Sequence, residues 1–562
     1  MHFNSLGELL DACVAFYRAN KDRSELERVR LNRSRLSDLV SVFHEQCGTL
    51  TPSVKKRLED LKSQQCIVLM TAHQPNFFPY SGVLRKATLN FVLGKKLEEL
   101  LRIPVVNFFG IADQDFTNDK WVRSCELPAV RRSGGLLSIK AKLPEKLMLN
   151  KVPKPSEDLL SEWKSEIEKW LSDAIGSIGK LGKELGLKET CSASAVSALH
   201  ENLASFWEIP KDCWRRSKTY SDLNGFLMSR IVNDAWGYDT VFARFSECQQ
   251  FFVDEFCFLL SRFEDYSRLM SEADEIAQSE GLSGGVSHQE SSLAPFWYHC
   301  TCGSKATLFV EIRDGFLSAS GSCVRCRQHY EFDFGRTNEL KLESIASHIS
   351  ARAISMGLVM FNGLQPSCYV GGVAGEAYLA EAQHVAKGLG IVFPPIAVWR
   401  PRDKYAGVGQ LEALLELKRF CKGLGAKSLS EAKDMLMSQI SKMRERLDEI
   451  EASKKGLTEE LRKRPNDREL KERLRSVSMS HTETCRSSHL SEMYLQLKII
   501  ENALSISNLI PSIIDYAVNV GLRETSDQWV QHLSEKGSLE TDIYLESVLN
   551  RNEKLESALW KV

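Results

Sequence analysis

No stretch of this sequence comes near the roughly 18 uninterrupted apolar residues that a membrane span requires. One of the most apolar runs, FFVDEFCFLL at 251–260, is broken by Asp254 and Glu255. Neither sign of charge is in excess: 73 Lys+Arg stand against 74 Asp+Glu for a net charge of -1, which excludes a strongly basic nucleic-acid binder and leaves room for a local basic pocket. The first residues, MHFNSLGELLDACVAFYR, lack a basic start and carry Glu8 and Asp11, so they do not read as a secretory signal. A GxxxxGK[ST] phosphate loop and a secure GxGxxG fingerprint are also missing, so no glycine pattern specifies ATP or NAD. These absences predict a soluble, cytoplasmic protein with no membrane or nucleic-acid partner.

The 562 residues, 43% apolar and 26% charged, suffice for a large core and exclude wholesale disorder. A chain of this length divides into several units. Fifteen cysteines, an odd number spread over the chain, fit a reducing compartment better than a disulfide framework.

Residues 1–65 read as helices with charged outer faces. CIVLM at 66–70 reads as a buried strand that delivers TAHQP to its carboxyl end, Gly82–Leu100 as a helix, and IPVVNFFGIAD at 103–113 as a second strand. Strand, helix, strand predicts a parallel α/β core whose ligands gather at the carboxyl edge. Trp163, Ile167, Trp170 and Leu171 mark a helix, whereas Ser/Gly-rich stretches at 174–182 and 280–292 read as loops or boundaries. A helix ending near Gly237 and a strand over Thr240–Ala243 continue the core.

From 295 to 335 the pattern changes to short aromatic and β-branched arms, TLFVEI and HYEFDF, each preceded by a cysteine pair. The α/β pattern returns with Gly357–Asn362, a glycine-rich loop at 371–375, a helix from Glu376 through Lys387 and IVFPPIAVW at 391–399. After 430, Ile440, Met443, Leu447, Ile450, Leu457 and Leu461 approximate a heptad seam, and Pro465-Asn466-Asp467 turns the chain. The expected organisation is an α/β core over 1–290 and 337–429, a cysteine ribbon at 291–336 and a helical coiled coil at 430–562, able to dimerise the chain.

Cys300-Thr301-Cys302 and Cys323-Val324-Arg325-Cys326 supply four thiolates, a tetrahedral set suited to structural Zn²⁺. The first pair is tighter than usual, leaving His299 as the rival to Cys300. Four protein ligands leave no open position for water, which favours a folding role for the metal over a catalytic one.

Three polar loops carry the remaining chemistry. His73 and Gln74 of TAHQP can stabilise phosphate, exchange a proton or orient a substrate, or simply cap a helix. Asp113 and Asp115 of IADQDF would face together in an extended segment and position an amine, or separate in a surface turn. Gly371, Gly372 and Gly375 of YVGGVAGEAYL allow close backbone approach before a helix whose amides can bind an anion, or make a structural turn. Arg400 can clamp a carboxylate or phosphate, or sit in an exposed ion pair.

In their order along the chain, TAHQP at 71–75, IADQDF at 111–116, YVGGVAGEAYL at 369–379 and PPIAVWRPR at 394–402 resemble the BshC family, the cysteine-adding enzymes of bacillithiol biosynthesis. His73 and Gln74 fall on that family's GHQP motif with Ala72 in place of glycine. Asp113 and Asp115 fall on its EDHD segment without the glutamate and histidine, and Gly375 and Glu376 on its GPGE motif. The ribbon is an addition to the family pattern. The resemblance implies a Rossmann-like, nucleotidyltransferase-related core and a C-terminal coiled coil used for dimerisation. It further implies a ligase that joins the cysteine carboxyl to the amine of an amino sugar such as glucosaminyl malate. Activation of that carboxyl requires a nucleotide or phosphate donor, which no motif identifies. His73, Asp113 and Asp115 are then the catalytic candidates, and Gln74, Gly371, Gly372, Gly375, Glu376 and Arg400 the substrate-binding ones. The competing expectation is an inactive, zinc-stabilised scaffold that binds metabolites or protein helices.

Overall fold

The computed structural model describes residues 3–21, 26–63, 66–187, 191–279, 292–487, 490–506 and 509–549. The boundary expected at 280–292 lies almost entirely outside the described residues. Three core strands come first, β1 (Ile67–His73), β2 (Val105–Ile111) and β3 (Val241–Arg244), with helix α1 (Ser81–Leu101) between the first two. An antiparallel sheet of six strands follows, made of β4 (Leu293–His299), β5 (Lys305–Arg313), β6 (Phe316–Cys323), β7 (His329–Arg336) and β8 (Ile349–Ala351), with the two-residue strand Glu339–Leu340 on the outer edge of β7. The chain then returns to the core with β9 (Cys368–Gly371), helix α2 (Glu376–Leu389) and β10 (Ile396–Val398).

The core sheet runs β10-β9-β1-β2-β3, every neighbour parallel, with Ile67 opposite Val105, His73 opposite Ile111 and Leu69 opposite Cys368. Buried strands of this kind read as continuous apolar runs because both faces are covered. The two-residue period sorts the side chains: Ile67, Leu69, Val105, Phe109 and Ile111 enter one apolar cluster, and Val68, Met70, Val106 and Phe108 enter another on the opposite face. From β1 the chain steps one way to β2 and β3, and β9 and β10 lie on the other side. The topological switch therefore falls between the carboxyl ends of β1 and β9, where open α/β sheets bind ligands.

The ribbon strands form a separate sheet that extends beyond residue 336, because Ile349–Ala351 pairs back on Phe296–Tyr298. Phe296, Ala306, Leu308, Leu317 and Phe334 join the second apolar cluster, so the ribbon sits on the core. The Ser/Gly-rich stretch 174–182, expected as a loop, lies inside the helix Glu157–Leu185. Ala174, Ile178 and Leu181 fall on one face of that helix and are buried, and this burial outweighs the weak helix preference of Gly176 and Gly179.

At the C-terminal side, α3 (Leu429–Lys463) and α4 (Arg468–Ser487) form a helical hairpin that turns at residues 464–467, with Leu457 and Leu470 buried. Helix Leu490–Ile506 leads back, burying Ile499, Ile500, Ala503 and Ile506 beside Leu417 and Phe420. Ile513, Tyr516, Trp529, Leu539 and Leu549 then pack into the first core cluster, and Ile543–Tyr544 pairs with Asp403–Lys404. The last third of the chain thus supports the core as well as forming the hairpin. No described helix is long and apolar enough to cross a membrane.

Candidate functional site

β1 ends at the switch point with His73 as its last residue. The imidazole is partly buried: its Nδ1 lies 3.2 Å from the Gln74 carbonyl and its Nε2 3.4 Å from the Tyr80 hydroxyl. Burial first, and then the nearby Lys86 ammonium, lower its pKa to about 3, so His73 is neutral at physiological pH.

Lys86 projects from the second turn of α1 and is 7% exposed. Its Nζ donates to the Ala72 carbonyl at 3.2 Å, and among the described residues no carboxylate pairs with it. Burial lowers its pKa to about 8, so it still carries a proton at neutral pH. Across the switch, Gly372 follows β9; a methyl group there would stand 3.5 Å from the Lys86 Cε and 3.6 Å from its Nζ. The Gly375 amide donates to the Gly372 carbonyl at 2.9 Å and turns the chain into α2. Gly371, Gly372 and Gly375 all have ordinary negative φ, so their smallness serves close packing: at Gly375 a Cβ would strike the Tyr378 ring at 2.9 Å.

Gln74 joins two loops. Its Nε2 donates to Asp115 Oδ2 at 3.1 Å and to Asp119 Oδ2 at 2.6 Å, and its Oε1 accepts from Trp121 Nε1 at 3.0 Å. Asp115 also faces Lys305 of the ribbon at 3.7 Å. Lys305 was not singled out by the sequence reading; it is 2% exposed, and burial lowers its pKa while Asp115 opposes that shift. Tyr378 in the first turn of α2 feels the Asp115 charge as well, so the loops after β1, β2 and β9 converge.

The two aspartates do not act as a pair. Residues 113–115 form a turn in which the Asp115 amide donates to the Ala112 carbonyl, and this turn sends the side chains apart. Asp113 is fully buried; its Oδ1 accepts from the Ser246 amide at 2.9 Å and its Oδ2 from the Ser246 hydroxyl at 2.5 Å. Burial raises its pKa to about 6, against the opposing Ser246 hydrogen bonds and Arg244 charge. Asp113 therefore ties the end of β2 to the segment after β3, and Asp115 is the carboxylate that reaches the crevice. Arg400 and Glu376 are brought together as an ion pair, with Arg400 Nη1 also 3.2 Å from Glu540. The carboxylate-binding fork of Arg400 is thus directed at two protein carboxylates.

The four cysteines gather at the turns of the ribbon. Their sulfurs all fall within 4.8 Å of one another, with Cys300 and Cys326 at 3.4 Å and Cys302 and Cys323 at 3.6 Å. A disulfide needs sulfurs about 2.05 Å apart, whereas sulfurs on a tetrahedral metal with bonds of about 2.3 Å stand a little under 4 Å apart. Donors that favour thiolates are in place: the Cys302 and Arg325 amides point at Cys300 and Cys323 sulfur, and the Tyr330 hydroxyl donates to Cys300 at 3.1 Å. The cluster can hold a metal ion. It contains Cys300, and His299, whose Nε2 is buried without a partner, stands outside it.

The sequence signal for Lys86 was present but unused: VLRKATLNFVL carries two cations inside an apolar helix, and such charges are buried only where something answers them. No family model matches the chain, and no curated protein matches it. A solved structure from Campylobacter jejuni, provisionally described as an arginyl-tRNA synthetase, aligns over 89% of this chain and 98% of its own at 8% identity and a TM-score of 0.20. A superposition that loose carries no argument about fold or activity.

Proposed function

We propose that this protein is a cysteine ligase-like enzyme that forms an amide between the cysteine carboxyl and an amino sugar, with glucosaminyl malate as the leading acceptor. The observation that carries the reading is Lys86: a buried cation with no carboxylate partner among the described residues, set between the carboxyl ends of β1 and β9. An unpaired buried charge is costly and persists where a ligand supplies its counterion. The anion is the phosphoryl or phosphate group that makes cysteine's carboxylate a competent acyl donor. Amine attack on that acyl group forms the C–N bond and releases the anion, which Lys86 stabilises. His73, neutral until the anion approaches, takes the proton shed by the attacking amine; Asp115, oriented by Gln74, holds the amine in place. Glu376 and Arg400 flank the opening as a charge pair. The ribbon's metal in this reading is zinc with a structural role, and the partners are cysteine, the amino sugar and a second chain docked through the helical hairpin.

The test is product formation. Purified protein with cysteine, amino-sugar acceptors and separately supplied phosphate or nucleotide donors should give a donor-dependent amide detectable by mass spectrometry. Lys86→Met should lower its rate at least a hundredfold. Absence of any donor-dependent amide would defeat the ligase reading. The Glu376–Arg400–Glu540 contacts and the burial of Asp113 favour the second reading, an inactive metabolite-binding scaffold, which predicts ligand binding without turnover.

A further inference from the structure

A second set of buried cations lies where the ribbon meets the sheet. Arg352 is 8% exposed and stacks on Trp297, its guanidinium carbon 3.7 Å from the ring centre. Its Nε and Nη2 have no hydrogen-bond partner, and no described carboxylate pairs with it. Those two nitrogens form the edge of the guanidinium that grips two oxygens side by side. Lys305, 2% exposed, lies 5.8 Å from the same indole and 5.1 Å from the Phe116 ring. Ser350, opposite Trp297 in the β4–β8 register, is fully buried with its hydroxyl also unpartnered. Arg352 is moreover the N-cap of helix Ala353–Leu364, whose first amides receive no side-chain cap.

Lys305 feels two carboxylates, Asp115 and the buried Asp113, whereas no described carboxylate pairs with Arg352. Asp115 reaches Lys305 at 3.7 Å, and its side chain is 38% exposed. The uncompensated charge is thus that of Arg352, buried against Trp297, and its orphaned guanidinium edge marks where compensation is missing.

We propose that Arg352 and Lys305, arranged around Trp297, form a phosphate-binding subsite between the ribbon and the core, distinct from the Lys86 position. Arg352 grips two phosphate oxygens through Nε and Nη2, Lys305 neutralises a second negative charge, and the Ser350 hydroxyl is available as a further donor. Two cations favour a dianion over a carboxylate. Asp115, the partly exposed member, occupies the side from which the ligand enters and gives up its loose contact with Lys305 when phosphate binds. The ribbon fixes this geometry: the Lys305 carbonyl accepts from the Val324 amide at 3.0 Å, and Ser304 accepts from the Cys300 amide at 2.8 Å, so the cysteine turns hold the backbone that inserts the lysine. The subsite rests on the two buried cations and stands whether or not the chain makes an amide.

Titration calorimetry of the full chain with inorganic phosphate tests this, in a Lys86→Met background so that the switch position is silent. That variant should bind one phosphate per chain. Adding Arg352→Gln should weaken binding at least tenfold, and Arg352→Lys should recover part of the loss. Lys305→Met is the second variant and should act in the same direction; it decides the matter if Arg352→Gln does not fold by circular dichroism. Unchanged phosphate affinity in the folded Arg352 or Lys305 variants would overturn the proposal, as would acetate binding as tightly as phosphate. Loss of amide formation in Lys86→Met with retained phosphate binding would separate this subsite from the ligase reading.

Discussion

Asp113→Asn isolates what the buried carboxylate costs the fold. Burial holds the Asp113 pKa near 6, against an ordinary 3.8. The folded protein therefore binds this proton more tightly than the unfolded chain does, and stability linked to it is fully present below about pH 4 and lost as pH rises through about 6. A gap of about two pH units at ~1.4 kcal/mol each amounts to ~3 kcal/mol above pH 7. Asparagine preserves the shape: its carbonyl oxygen can accept from the Ser246 amide, and its amide can donate to the Ser246 hydroxyl. Urea unfolding followed by tryptophan fluorescence, with Trp163, Trp170 and Trp207 buried in the adjoining core cluster, gives the readout. Relative to the unsubstituted chain, Asp113→Asn should gain ~3 kcal/mol between pH 4 and pH 8. Asp515 and Glu255 are also pushed up by burial, to about 6 and about 7, but they are common to both proteins and cancel in the comparison. Parallel pH profiles for the two proteins would refute the reasoning, and a variant that loses ground at pH 8 would show that the ionised carboxylate stabilises the fold through Arg244.

The ribbon offers two further tests. Protein purified under reducing conditions should retain close to one zinc per chain by elemental analysis, and Cys326→Ser should lose the metal and melt several degrees lower; zinc-free, fully folded protein would count against the site. Gly321→Ala should disrupt the β5–β6 ladder, because a Cβ there would lie 1.9 Å from the Thr307 carbonyl oxygen, at a cost of about 3 kcal/mol or more. Hydrogen exchange should show faster exchange across β5 and β6 with the core sheet unchanged, and wild-type protection in that variant would contradict the packing.

Much of the architecture was legible because its signals are local. CIVLM and VVNFFGI are apolar runs too short for helices and too continuous for half-exposed strands, so they could be placed in a parallel sheet. Cys300, Cys302, Cys323 and Cys326 were read as one cluster because ligand spacing is written in the chain itself. The candidate site was legible only in part. His73 ends a strand and Gln74 and Gly372 follow strand ends, and a strand end predicts a position. Whether Asp113 and Asp115 face one way depends on a turn whose direction is set by Ser246, a residue delivered from another strand. Residues 174–182 were misread because composition reports helix preference and not the burial that overrides it.

The sequence by itself determined the parallel core, the four-cysteine ribbon and the helical hairpin, since each rests on periodicity or spacing among near neighbours. Tertiary structure alone decided which charges are answered. Lys305 and Arg352 carry no burial signal in the chain, and the apolar helix around Lys86 hints at burial without saying what answers the charge; packing shows Lys86 and Arg352 buried with no described carboxylate partner, at the switch point and against Trp297. The physical reason is that the cost of a buried charge depends on what surrounds it in space, and those surroundings come from segments far apart in the sequence.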